Sequence, residues 1–470
     1  TRVIQRDNII WTADDEIRAV TKYGAGPYCG EMDAAYENWI IYGGTSGLSE
    51  KGCFVPINNP EIRFYDGGGF TIAGLNMEMG GTHQDQGASL FVSAPSMEIS
   101  NLKLKDPRAI AKGSGNAALL IQSVGNGNAD EKKLVLKNIE IYGDDIQIAS
   151  GGYGNSTGGL VGSADVDEVD MERVSLHGRN ALVRRRYNGN LYETASYESG
   201  FIGSVKTKTF TMDQCIYSGY IAGGTNTEGC GGFIGKLVTS EGMIKNSYVA
   251  GRNDSYPYAG LDHRTDAERT WDLTDGVSIT GVWVVGGLIG ALDGEMTVRQ
   301  CFVAAGINDS GSSSGYSGGT GGLIGCVTGN KKLEFQDCYF VGNIDRRGKT
   351  EKQDGDPTIS RDWPGNTGIM AGNVNGSETS FYSCTYLAIP GLKGRYMVGN
   401  RSMPAVNLAA VPGEESMSNI LSSGNENNAD KTFSFSADLL GSSYPYKIWT
   451  KNGEDQTVYY GDWIDWKKLQ

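Results

Sequence analysis

The sequence predicts an all-β protein: a right-handed parallel β-helix (solenoid) of about eight to nine coils, with a cap at each end. Three observations predict this fold. A glycine-rich motif recurs along the chain. A second, apolar motif follows most of its copies at a nearly constant distance. The extra length falls almost wholly in the stretch that returns to the next glycine motif.

The glycine motif consists of two glycines, two apolar residues and a further glycine. Full copies are Gly158–Gly162, Gly231–Gly235, Gly286–Gly290 and Gly321–Gly325, and looser copies are Gly200–Gly203 and Gly368–Gly372. Glycine accounts for 69 of the 470 residues, about twice its usual share of ~7 %. We expect the motif glycines at tight corners that need a positive φ, or where neighbouring coils approach closely. A phosphate-binding loop would need a following helix, which the sequence does not signal.

The second motif reads apolar, two residues, small or apolar, one residue, apolar. Its nine copies are Ile72/Leu75/Met77, Ile99/Leu102/Leu104, Leu136/Ile139/Ile141, Met171/Val174/Leu176, Met212/Cys215/Tyr217, Ile244/Ser247/Val249, Val298/Cys301/Val303, Phe335/Cys338/Phe340 and Phe381/Cys384/Tyr386. A step of two is the strand period, whereas a step of three keeps two side chains on one face only if the chain bends between them. Each copy therefore predicts a strand, a corner and a second strand. A helix is disfavoured because the repeats are short and rich in glycine.

The central position of this motif predicts columns of stacked residues. Central residues recur every 27 to 54 residues, and stacked coils would bring them about 4.8 Å apart. Cys215, Cys301, Cys338 and Cys384 share this position, with Ser247 interrupting them. We predict that they are reduced packing thiols, because no histidine neighbours them in sequence to lower their pKa. Cys29 and Cys53 lie outside the repeats, and the sequence leaves open whether they pair.

The repeats resemble the GLUG-motif family, which is named for its Gly-Leu-hydrophobic-Gly core. That family occurs in bacterial surface and secreted proteins, including adhesin-like proteins and the repeat regions of some immunoglobulin A peptidases. The segment from Phe64 to Leu75 resembles the stretch that often precedes such repeats, with Phe70 where histidine is usual. The resemblance covers roughly residues 62–388 and implies a β-solenoid scaffold without catalytic residues. The zinc motif His-Glu-x-x-His of the peptidases is absent from the sequence, so their activity is not implied.

The chain is predicted to have three regions. Residues 1–61 form an N-terminal cap, in which a helix starts near Trp11, and residues 62–388 form the β-helix. Residues 389–470 form a C-terminal cap or docking region. The β-helix carries long insertions at 178–199, 251–285, 306–320 and 342–367. If the insertions share one corner of the coil, they emerge along one edge of the stack, where binding should be sought.

The candidate ligand-binding residues lie in or beside two of these insertions. Arg185, Tyr187 and Tyr192 belong to the first. Tyr256, Tyr258, His263, Trp271 and Trp283 belong to the second. Aromatic faces beside charged groups suit a carbohydrate or protein ligand, although the rings could instead pin the loops to the scaffold. No catalytic residue is assigned.

A weak calcium candidate is formed by Asp165, Asp167 and Asp170, for which a solvated acidic turn is the alternative. Calcium is therefore the one cofactor considered. The three histidines do not have the spacing of a zinc site.

The composition limits the partners. A net charge of −14 disfavours nucleic acid, and no apolar run approaches the ~18 residues of a membrane helix. Because the sequence begins at Thr1 without a basic and apolar leader, we expect a signal segment to have been removed and the protein to be extracellular or on the cell surface.

These observations favour a non-enzymatic, adhesin-like protein that displays loops to a glycan or a host surface protein. One alternative is a polysaccharide-degrading enzyme, a lyase or a hydrolase, on the same scaffold. Another is a structural subunit of a surface fibre or phage tail. The C-terminal region is also a candidate surface for self-association.

Overall fold

The computed structural model describes residues 1–11, 54, 56–79, 87–111, 115–127, 129–143, 146–150, 156–185, 196–222, 227–249, 278–309, 318–329, 331–341, 344–346, 366–375, 378–382, 384–388, 398–399, 408–412, 447–451 and 454–457. These residues form strands, bridges, turns and bends and contain no helix, so the predicted all-β class is confirmed for them. Accordingly, this part of the chain has no apolar helix of membrane-spanning length.

The strands are numbered in chain order. The first half contains β1 Arg2–Ile4, β2 Ile9–Ile10, β3 Phe64–Asp66, β4 Thr71–Ala73, β5 Asn76–Met79, β6 Phe91–Ala94, β7 Met97–Lys105, β8 Arg108–Ala111, β9 Ile121–Val124, β10 Lys133–Gly143, β11 Gln147–Ser150, β12 Ser156–Gly158, β13 Val161–Asp165, β14 Glu168–Arg185, β15 Ser196–Ser199, β16 Ile202–Asp213, β17 Ile216–Ala222, β18 Thr227–Gly231 and β19 Ile234–Lys245. The second half contains β20 Tyr248–Val249, β21 Ser278–Gly281, β22 Val284–Gly286, β23 Ile289–Arg299, β24 Phe302–Ala304, β25 Gly306–Asp309, β26 Gly319–Gly321, β27 Ile324–Thr328, β28 Lys332–Gln336, β29 Tyr339–Val341, β30 Ile344–Arg346, β31 Thr367–Gly368, β32 Ala371–Val374, β33 Glu378–Tyr382, β34 Cys384–Ala388, β35 Leu408–Pro412, β36 Lys447–Lys451 and β37 Glu454–Thr457.

Almost all of these strands pair in parallel. Among the described residues, 29 strands form one sheet and six form a second. Of the strands that the structure describes, only β36 and β37 pair in antiparallel fashion. Each strand of the two larger sheets pairs with the equivalent strand of another repeat, as in the pairs β10–β14 and β19–β23. Equivalent residues therefore stack into columns, which is compatible with a parallel β-helix.

The column of central motif residues is the clearest test of this stacking. It contains Leu102, Ile139, Val174, Cys215, Ser247, Cys301, Cys338 and Cys384 in consecutive layers. All eight are buried, with 0–1 % of each residue exposed. The predicted cysteine column is thus confirmed, and its members belong to one apolar interior.

A left-handed backbone residue forms the corner of each repeat. The residue before the central position has a φ between 48° and 54° in seven consecutive layers, at Asn101, Asn138, Arg173, Gln214, Asn246, Gln300 and Asp337. Asparagine and aspartate tolerate this conformation better than most residues, because their short polar side chains can bond locally. The Asn138 amide donates to Asn101 Oδ1 at 2.9 Å, so the corner residues also bond between layers. This corner explains the step of three in the motif.

The predicted first copy of the second motif, Ile72/Leu75/Met77, is wrong in its register. Ile72 pairs with Leu104, and Tyr65 pairs with Ile99. The first position of the motif is therefore occupied by Tyr65, and Ile72 belongs to the third position. Gly68 and Gly69, with φ of 62° and 79°, lie between them and lengthen this corner relative to the later repeats.

The motif glycines allow close packing of backbones. In the four full copies they are absent from the positive-φ residues, so they are not needed for left-handed corners. A Cβ on Gly235 would lie 2.5 Å from the Gly203 carbonyl oxygen, and one on Gly162 would lie 2.5 Å from the Gln122 carbonyl oxygen. Of the two roles expected for these glycines, close approach between neighbouring layers is the correct one.

Strand pairing continues beyond residues 62–388 in both directions. β1 pairs with β3 and β2 pairs with β4, while β35 pairs with β34, all in parallel. The predicted helix near Trp11 and the pair Cys29 and Cys53 lie outside the described residues, apart from Trp11 itself. The assignment of the two flanks as caps stays a prediction.

Candidate functional site

The insertions leave the sheets at two corners. The first is here called the return corner. It connects one column of the large sheet to the six strands of the smaller sheet. That column consists of β11, the end of β14, the end of β17, β21, β25 and β30. The segments 186–195, 310–317 and 347–365 all leave the described strands there.

The segment 250–277 leaves at a different corner. It separates β20 from β21, which pair with Ile216–Tyr217 and Tyr220–Ala222 of the continuous strand β17. The expectation that all insertions share one edge is therefore wrong for this insertion. The two corners lie at opposite ends of the same short strand, which in β21 is 4 residues long, or about 13 Å.

The structure describes two of the eight candidate ligand residues. Arg185 is the last residue of β14, and Trp283 lies between β21 and β22. Both therefore lie at the return corner. Tyr187, Tyr192, Tyr256, Tyr258, His263 and Trp271 fall outside the described residues.

Trp283 turns the chain at the return corner. Its backbone is left-handed, with a φ of 76°, a strained value for a bulky residue. The backbone N–H of Trp283 donates to Asp309 Oδ1 at 2.9 Å. The Thr320 hydroxyl donates to Asp309 Oδ2, also at 2.9 Å. Asp309, which is only 1 % exposed, thus fastens two layers of this corner.

A column of buried, mostly polar residues lies beside this corner. Thr157, Glu198, Cys230, Val285, Thr320 and Thr367 form one column of the smaller sheet. Glu198 and Cys230 are both fully buried. The pKa of the Cys230 thiol is raised well above its ordinary value, first by burial and then by the charges of Glu198 and Asp309. A thiol held protonated in this way is a poor nucleophile.

Glu198 of this column and Asp309 of β25 are two buried carboxyl groups that lie too far apart to act together. Thr320, which binds Asp309, lies three layers from Glu198 along the column. Three layers correspond to about 14 Å, whereas a glycosidase carboxyl pair needs about 5–9.5 Å. Glu198 and Asp309 are therefore not an acid–base pair, and the described contacts of Asp309 are structural. Neither residue is predictable from the sequence, because a carboxylate in a short strand normally indicates an exposed position.

The calcium candidates are not brought together. Asp165 pairs with Lys206 at 3.4 Å, Asp167 with Lys208 at 2.7 Å, and Asp170 with Lys137 at 2.8 Å. The bond to Lys208 lowers the pKa of Asp167. Across the described ranges, no group of three His, Cys, Asp or Glu residues is arranged to hold a metal ion. The three carboxylates belong to lysine–carboxylate pairs on the sheet surface, each of which contributes little to stability.

An aromatic and charged cluster lies on the smaller sheet, at Tyr197 near the end of the first insertion. The Tyr197 hydroxyl donates to Glu228 Oε2 at 2.8 Å, and Lys236 Nζ donates to the Tyr197 oxygen at 3.0 Å. The Lys236 ammonium also lies 5.0 Å from the centre of the Tyr197 ring. Burial is the largest cause of the raised pKa of Tyr197. This cluster holds the strand that receives the chain after the first insertion.

Comparisons with known proteins give one distant likeness. A search with protein-family models finds no match, and neither does a search of curated proteins. Among solved structures, the chain is similar to the "putative immunoglobulin A1 protease" of Bacteroides ovatus, with a TM-score of 0.32 and 15 % identity over 67 % of this chain and 68 % of that one. A similarity of this extent is not evidence for a shared activity.

Proposed function

We propose that the chain is an extracellular, non-enzymatic, adhesin-like protein: a right-handed β-helix of about eight to nine coils that displays its insertions to a glycan or a host surface protein. We also assign it to the GLUG-motif family on its repeats. The observation that carries the proposal is the position of the insertions. They leave from two corners of one strand column, and the described residues around them serve to hold the framework.

The strand framework and the insertions have separate roles in this proposal. The column positions bury apolar side chains in every layer, and Asp309 and Trp283 fix the chain at the return corner. Long segments rich in tyrosine, tryptophan and arginine are then available at the edges of a rigid support. Loops held by a rigid scaffold commonly carry binding function.

Replacing Tyr256, Tyr258 and Trp271 together by alanine tests this proposal. We expect binding to a glycan array, or to host extracellular matrix proteins, to fall at least tenfold while the melting temperature changes little. Met243→Ala with Tyr382→Ala is the control, because these exposed residues lie on strands away from both corners, with 40 % and 49 % of each residue exposed. Unchanged binding by the triple variant would overturn the placement of the site. Release of reducing ends from a polysaccharide by the unmodified chain would favour the enzymatic alternative.

A further inference from the structure

The cysteine column ends in two cysteines of neighbouring layers. Cys338 and Cys384 lie at the same position of neighbouring strands, because Tyr339 pairs with Thr385. The Cys338 thiol donates to the Val298 and Gln336 carbonyls at 3.3 Å, and the Cys384 thiol donates to the Tyr382 carbonyl at 3.4 Å. Of the six free cysteines in the described part of the chain, these two lie at its C-terminal end and are followed in the column by Leu408.

We propose that Cys338 and Cys384 are an oxidation site, at which a small-molecule disulfide such as oxidised glutathione converts the two thiols into a disulfide that locks the last layers of the column. One thiolate attacks the glutathione disulfide, forms a mixed disulfide and expels one reduced glutathione. The second thiolate then attacks the protein sulfur and expels the other. Two protein thiols and one glutathione disulfide thus give one protein disulfide and two reduced glutathiones. The protein thiols are oxidised by two electrons, and the glutathione disulfide is reduced by the same two electrons.

The register decides which cysteines can take part. Neighbouring parallel strands are about 4.8 Å apart, which lies within the 4.4–6.8 Å usual for the Cα atoms of a disulfide. Cys215 and Cys301 are separated by Ser247 and are therefore two layers, about 9.6 Å, apart. A bridge between them would need backbone movement, because it exceeds the limit of about 7 Å. Cys301 and Cys338 are also in adjacent layers, but Cys301 lies two layers further from the end of the column than Cys384, which is covered by the terminal strand β35.

The chemistry of the pair favours Cys384 as the first nucleophile. The neighbouring Cys338 thiol lowers the pKa of the Cys384 thiol, whereas burial raises the pKa of Cys338. The thiolate is the reactive form. Reagents reach this buried position when the terminal strand β35 opens, since ends of a repeat array open more readily than its interior.

The resulting bond is expected to be reducible. A strand separation of about 4.8 Å exceeds the mean Cβ separation of about 3.8 Å in disulfides. Drawing the two positions together stores strain, which makes a disulfide easier to reduce. The lock is therefore reversible.

The test uses the full chain, incubated with oxidised glutathione, alkylated in denaturant and mapped by non-reducing peptide mass spectrometry. We expect a cross-linked peptide pair containing Cys338 and Cys384 that disappears with dithiothreitol. Oxidation should raise the melting temperature by on the order of 5 °C. Cys338→Ser and Cys384→Ser should each abolish the cross-link, and Cys301→Ser should keep it.

Serine is a suitable replacement because Ser247 already occupies the same column, where its hydroxyl donates to the Lys245 carbonyl at 2.7 Å. The unmodified chain also reports the outcome without any variant. A cross-link between Cys301 and Cys338, glutathionylation without a cross-link, or six unreacted thiols after prolonged incubation would each overturn the proposal.

Discussion

The Glu140 carboxylate lies 3.4 Å from the Lys103 ammonium on the neighbouring strand, on the outer face of the large sheet. Only 14 % and 22 % of these two side chains are exposed. Burial outweighs the attraction to Lys103 and raises the pKa of Glu140 to about 7. The pair therefore holds a carboxyl group that gains or loses its proton near neutral pH.

Glu140→Gln should change how stability depends on pH. Because the pKa of Glu140 is higher in the folded chain than in the unfolded chain, the folded chain binds the proton more tightly. Protonation of Glu140 therefore stabilises the fold fully below about pH 4.5, and this stabilisation is lost as the pH rises to about 7. The variant lacks this loss. Its free energy of unfolding relative to the unmodified chain should rise by about 1–3 kcal/mol between pH 5 and pH 8.

Thermal unfolding at the two pH values measures this difference. Glu168→Gln is the control, since Glu168 also pairs with a lysine but keeps 41 % of its side chain exposed. A Glu140→Gln variant whose difference from the unmodified chain is the same at pH 5 and pH 8 would contradict the assignment.

Gly287→Ala should destabilise the chain much more than Gly69→Ala. A Cβ on Gly287 would overlap the Gly322 carbonyl oxygen and lie 2.6 Å from Val303 Cγ1, so the layers would have to separate. We expect a loss above about 3 kcal/mol. Gly69 has a φ of 79° and open space around its Cβ position, so the loss there should be about 1–2 kcal/mol, from backbone conformation alone. Chemical denaturation compares the free energies of unfolding of the two variants. Equal losses would show that close approach of the layers is not the reason that position 287 requires glycine.

Asp309→Ala should loosen the return corner. It leaves the Trp283 N–H and the Thr320 hydroxyl without this acceptor, at an expected cost of about 2–4 kcal/mol. Asp309→Asn should cost less, because the amide oxygen still accepts from Trp283 and the Thr320 hydroxyl can turn to accept from the amide. Asp293→Ala, at an exposed position, is the control. Melting temperatures and limited proteolysis at 310–317 report the effect. Equal behaviour of Asp309→Ala and Asp293→Ala would show that the corner does not depend on Asp309.

The sequence predicts the columns well because they depend on one repeated spacing. Cys301 and Cys338 lie in neighbouring layers as expected, since burial of the same face in every repeat leaves one register. The first copy fails because Gly68 and Gly69 lengthen its corner, so that spacing alone selects Ile72 instead of Tyr65. The corner follows from the step of three in the motif, but its left-handed conformation does not, because residue type alone does not distinguish that conformation from an ordinary polar turn.

The candidate site is less predictable. The positions of Arg185 and Trp283 at a corner follow from the repeats, because insertions must interrupt connections between strands. The separate exit of residues 250–277 does not follow from the repeats. It depends on whether the connection between β20 and β21 or the connection between β21 and β22 is the longer one. Burial of Glu198 and Asp309 could not be predicted either, because it depends on packing between neighbouring layers at the return corner, which the residue types alone do not reveal.

The exit at 250–277 also bears on how this architecture can diversify. Strand β17 crosses the equivalent point with only Ser218 and Gly219 between the paired positions of Tyr217 and Tyr220. The two ends of the long segment are therefore held as close together as the ends of a two-residue link. Such a segment can be exchanged, shortened or lengthened without altering the register on either side, so its sequence can change independently of the fold.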